Sequence, residues 1–122
     1  MSLFTARWLR IVLLLVSLAA LAQEIVGITE AQIAKLAAQF GPVAKSRLSG
    51  WRDLLNNPKY KKLPEEDKLR VVNDFMNLTQ FIADLKHWGK EDYWATPLEF
   101  LSTDGGDCED YSIAKYFTLR AL

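Results

Sequence analysis

The run Asp104-Gly105-Gly106-Asp107-Cys108-Glu109-Asp110 sets one thiol among four carboxylates within seven residues. Cys108 is the single cysteine of a 122-residue chain, so it has no intramolecular partner for a disulfide. It is a small inert hydrophobe, a reactive thiol or a partner in an intermolecular disulfide. Apolar spacing starts a helix at about Cys108. Unpaired N–H groups and the positive end of the helix dipole favour a thiolate there, which is what a nucleophilic cysteine requires. Gly105-Gly106 predicts a tight, mobile turn that leaves the sulfur open. The acids oppose the thiolate, since like charge disfavours ionisation. They fit two roles: anions that complement the helix dipole, or hard oxygen ligands of a cation such as calcium. A bound cation would cancel their effect on the thiol. Their spacing excludes an EF-hand loop, and no CxxC or His-rich spacing supports zinc.

A nucleophilic thiol also needs a base. The one histidine, His87, lies in Lys86-His87-Trp88-Gly89. Its aromatic, loop-edge context points to a packed or surface imidazole more often than to a base.

Helices joined by short turns must position these groups. Thr29-Glu30-Ala31-Gln32 is a capping box, and Ile33, Leu36, Ala37 and Phe40 follow at helical spacing up to Gly41-Pro42. Ala44, Leu48, Trp51 and Leu55 share the face of a second helix, which stops near Asn56-Asn57-Pro58. Lys59, Lys61 and Lys62 then read as a solvated basic linker. A third helix opens at Pro64 with Glu65, Glu66 and Asp67 at its positive end, and turns Leu69, Val72 and Met76 inward. Phe81 to Trp88 fits either a helix continuation or a short extended piece. Asn77-Leu78-Thr79 matches a glycosylation sequon, weakly in a helical setting. Thr96-Pro97-Leu98-Glu99 is a second capping box. In the last helix Tyr111, Ala114, Phe117 and Ala121 share one face, and Ile113, Tyr116 and Leu119 cover much of the rest. That pattern predicts a central, buried helix. It has no stop signal before Leu122, which suggests a chain cut short.

The balance of 15 basic and 15 acidic residues gives no sign of a nucleic-acid binder. Arg7 and Arg10 precede a charge-free apolar run, Ile11 to Ala22, that ends Ala20-Leu21-Ala22. Residues 1–22 therefore read as a secretory signal peptide, since spanning a bilayer takes about 20 apolar residues. An uncleaved anchor, with Trp8 at the boundary, is the competing reading. Cleavage removes two of the 15 basic residues and leaves residues 23–122 with a net charge of −2. Export means a periplasm or the cell exterior.

Glu91-Asp92-Tyr93-Trp94-Ala95-Thr96-Pro97-Leu98-Glu99-Phe100-Leu101, followed by Gly105-Gly106-Asp107-Cys108-Glu109-Asp110-Tyr111-Ser112-Ile113-Ala114-Lys115-Tyr116, resembles the bacterial transglutaminase-like cysteine proteinases, in particular their periplasmic adhesin-releasing branch. The resemblance runs from about Phe40 to Leu122. It implies an α+β papain-like fold in the complete protein, of which these residues form the helical N-terminal portion ending in the nucleophile helix. It implies that Cys108 is the nucleophile and that Asp107, Glu109 and Asp110 bind calcium. The family's His and Asp come later, on an antiparallel sheet, and on this reading the chain stops before them. The substrate implied is a large surface adhesin cut near its N-terminus, and the partner an inner-membrane receptor for cyclic di-GMP. The alternatives are acyl transfer to an amine, as in transglutaminases, and a helical calcium- or partner-binding module without activity.

Overall fold

Thr29 accepts the Gln32 N–H at 3.2 Å while the Gln32 side chain accepts the Thr29 N–H at 2.8 Å, so the expected capping box opens α1 (Glu30–Phe40). This computed structural model describes residues 27–122; the expected signal peptide, residues 1–22, lies outside them. Gly41, at φ 96°, ends α1 and starts α2 (Pro42–Asn56). A side chain there would meet strain rather than a clash. The basic linker is in fact one helical turn, α3 (Pro58–Lys61), because the Asn57 side chain caps it by accepting from the Lys59 N–H. The third expected helix is α4 (Glu65–Met76). The ambiguous segment is both things: a strand β1 (Gln80–Phe81), then a short helix α5 (Asp84–Trp88) closed by Gly89 in the left-handed region. The second capping box opens α6 (Pro97–Ser102). Then come β2 (Gly105–Gly106) and α7 (Cys108–Ala121).

One hydrophobic core joins α1, α2, α4, α6 and α7 through Ile33, Leu48, Trp51, Leu55, Met76, Phe100 and Ala114. The Trp51 indole N–H donates to Thr118 Oγ1 at 2.8 Å, which fastens α7 to α2 across that core. The inward stripes are narrower than the sequence periodicity predicts. Val72 and Met76 are buried, but Leu69 is half exposed, and Phe40 and Phe117 are exposed as well. Phe40 and Leu69 sit on helix faces that no described element covers.

β1 and β2 pair in parallel, Gln80 with Gly105 and Phe81 with Gly106. This corrects the expected glycine turn. Neither glycine has positive φ; both are buried in a strand, and the left-handed residue is Asp104. The glycines are needed for space. A Cβ on Gly105 would stand 2.7 Å from Ile82 Cδ1 and 2.9 Å from His87 Cε1, and one on Gly106 would stand 2.6 Å from the Phe100 ring. The sequon is also structural: Asn77 accepts from Lys115 Nζ at 2.9 Å and Thr79 is buried.

Candidate active site and metal centre

Cys108 is the first residue of α7 and its free thiol is exposed. Asp107, just before it, is the N-cap, and its N–H donates to Asp110 Oδ2 at 3.1 Å. Asp110 is fully buried, and its other oxygen accepts the Ala95 N–H at 2.7 Å. So Asp110 closes the first turn of α7 and also anchors the loop that leads into α6. A third acid arrives from α5: Asp84, only 4% exposed, accepts the Tyr93 N–H at 2.6 Å.

Oxygens of Asp84, Asp107 and Asp110 lie within 4.8 Å of one another, and so do those of Asp84, Asp92 and Glu109. Asp84 is common to both sets. Among the described residues no lysine or arginine pairs with any of these five acids. Asp84 Oδ1 and Asp107 Oδ1 are buried without a hydrogen-bond partner. Burial pushes the Asp107 carboxyl up to about 7, helped by the neighbouring Glu109 carboxyl and the charges of Asp110 and Asp84. Buried, unpaired carboxylate oxygens in one place are costly unless a cation meets them. The donors are all hard oxygens, which suits calcium and does not suit zinc or copper.

Of the expected metal residues, Asp107 and Asp110 fall in one of these sets and Glu109 in the other, with Cys108 between Asp107 and Glu109 in the chain. Asp104 is not among them: its side chain turns to Arg47 on α2, at 3.6 Å. Asp84 and Asp92 take its place. Sequence reasoning missed both, because Asp84 sits in the segment of ambiguous structure and reads there as an ordinary first-turn acid. Its burial comes from the packing of α5 on β2, which no local pattern records. His87 is a packed imidazole. Thr103 Oγ1 donates to the Glu99 carbonyl at 2.7 Å, so His87 Nε2 must carry the proton it shares with Thr103 at 2.8 Å. Its ring lies against Trp88 and over Gly105.

Solved structures similar to this chain exist. Calcium-bound LapG from Legionella pneumophila is 38% identical, with a TM-score of 0.60 over 77% of this chain and 51% of that one. The EGTA-treated form of the same protein gives 38% identity and a TM-score of 0.60 over 78% of this chain and 50% of that one. The chain therefore spans about half the length of the LapG chains it matches. No protein-family model matches the chain, and neither does a curated protein sequence.

Proposed function

Because the chain belongs to the LapG-type transglutaminase-like cysteine proteinases, we propose that residues 23–122 are the helical N-terminal portion of a periplasmic, calcium-dependent cysteine endopeptidase whose nucleophile is Cys108. The observation that carries this reading is an exposed thiol at the first position of a fourteen-residue helix, beside a carboxylate cluster in which Asp84 and Asp110 are buried and two buried oxygens are orphaned.

Cys108 stands at the first position of α7, the end of the helix that carries the positive end of its dipole. As thiolate it adds to the scissile carbonyl; the C–N bond breaks, the amine leaves with a proton, and water releases the acyl group from sulfur. The base that serves these proton transfers has no counterpart among the described residues. On the family resemblance it is a histidine oriented by an aspartate, both on a sheet beyond Leu122. Asp107 and Glu109, with Asp84, Asp92 and Asp110 around them, would hold calcium. Bound there, calcium offsets the carboxylate charge beside the thiol and stiffens the approach to α7. The α+β papain-like fold, the signal peptide over residues 1–22, an adhesin substrate and a cyclic di-GMP receptor complete the proposal. The signal peptide follows from the charge-free apolar run after Arg7 and Arg10, and the other three follow from the resemblance.

Replacing Cys108 by Ala in the intact protein should abolish cleavage of a protein substrate without unfolding it. Activity that survives the replacement would remove Cys108 from the mechanism. A second reading rests on the carboxylate cluster alone: the described residues form a helical calcium-binding module. Calcium binding with no cleavage by the intact protein would select it.

A further inference from the structure

Arg47 is the one basic residue that the fold buries among the described residues. It lies on α2, outside the carboxylate cluster, yet its guanidinium reaches the segment that delivers Cys108. Nη2 donates to the Phe75 carbonyl at 3.1 Å and to Thr79 Oγ1 at 2.5 Å. Nε faces Asp104 Oδ1 at 3.6 Å, and neither atom has a hydrogen-bond partner. The Phe75 ring lies 4.7 Å from the guanidinium carbon. One side chain therefore touches the end of α4, the residue before β1 and the residue before β2.

Asp104 is the residue most in need of such an anchor. Its φ of 49° is the one positive value at a non-glycine position among the described residues, a conformation that side chains disfavour. Its carbonyl accepts the Gln80 N–H at 3.3 Å, next to the β1–β2 ladder, and its Oδ2 accepts from Gln80 Nε2 at 3.2 Å. Tyr111, one turn into α7, donates to the Thr79 carbonyl. The turn at Asp104 thus fixes where β2 starts, and Cys108 follows β2 by two residues.

We propose that Arg47 is a positioning residue for Cys108: through Asp104 its guanidinium locks the left-handed turn and the β1–β2 register that set where α7 begins. The inference rests on the reading of Cys108 as the nucleophile. It predicts that thiol placement, and not only stability, depends on Arg47.

The test is the rate of Cys108 alkylation by iodoacetamide at neutral pH in saturating calcium, on the intact protein, expressed per folded molecule from parallel circular dichroism. Arg47→Met should slow alkylation about tenfold, because a thiol displaced from the head of α7 loses the helix end that favours the reactive thiolate. Asp104→Gly alone should also slow it, because the buried guanidinium loses its carboxylate. The double variant Arg47→Met/Asp104→Gly should recover most of the rate, since glycine adopts positive φ unaided and no charge is left unpaired. Should Arg47→Met fail to fold, Arg47→Lys, which keeps the charge but loses the fork, should be slower than wild type. An unchanged rate per folded molecule in the Arg47 variants would overturn the inference, as would a double variant no faster than Arg47→Met. A wild-type thiol no more reactive than free cysteine would fail differently, since it sinks the nucleophile reading and this inference with it.

Discussion

Burial pushes the Asp107 carboxyl up to about 7, and Glu109, Asp110 and Asp84 push the same way. In the unfolded chain an aspartate titrates near about 4. The folded, metal-free protein therefore keeps a proton that the unfolded chain has released between those values. Its stability should fall as pH rises through that window and level off above about 7. Denaturant midpoints measured without calcium should be lower at about pH 8 than at about pH 5, and Asp107→Asn should flatten the slope. A metal-free midpoint that rises with pH would contradict this account. Calcium should reverse the trend, because it binds the ionised form. Asp84→Asn tests the shared acid: it keeps the acceptor for Tyr93 but loses a charge. Calcium affinity by calorimetric titration should drop at least about tenfold, the scale that even indirect changes around metal sites reach. Unchanged affinity would remove Asp84 from the site.

β2 and α7 hold these residues in place through contact. At Gly106 an added methyl would meet both the Phe100 ring and Asp110 Cβ, at 2.6 and 2.8 Å. Phe100 is buried and Asp110 is held by two backbone N–H groups, so neither can yield easily. Gly106→Ala should cost about 1–3 kcal/mol by overpacking and should weaken calcium binding by shifting Asp110. A variant with wild-type stability and calcium affinity would show the element to be softer than this packing implies. The fastening of α7 to α2 can be tested separately. Thr118→Val keeps the shape but strands the Trp51 indole N–H, which should cost about 1–3 kcal/mol in chemical denaturation.

For the whole molecule, α7 is covered on one side. Ala114 and Thr118 face the core, whereas Tyr116 and Phe117 are exposed among the described residues. The expected central helix is half covered, and the adjoining Tyr116 and Phe117 rings, with centroids 5.3 Å apart, leave an apolar pair open to association. Residues 27–122 expressed alone should therefore self-associate and bind a hydrophobic dye, and Tyr116→Glu with Phe117→Glu should reduce both in sedimentation and fluorescence measurements. A monomeric, dye-silent wild-type fragment would show that the face needs no cover.

The sequence alone determined what depends on neighbours a few residues apart. Both capping boxes, the stop at Gly41-Pro42, the acidic start of α4 and Cys108 at the head of a helix are all local hydrogen bonding and dihedral preference. The quoted motif around Cys108 likewise identified relatives that the LapG structures bear out. Tertiary structure decided what depends on distant segments meeting. It moved Asp104 out of the acidic cluster to Arg47 and brought Asp84 in. It assigned Gly105 and Gly106 to close packing rather than to a turn, and turned Phe117 to solvent. Burial and charge pairing are properties of the packed whole: a carboxylate has the same letter whether it meets water, an arginine or an orphaned neighbour, and only the fold chooses among them.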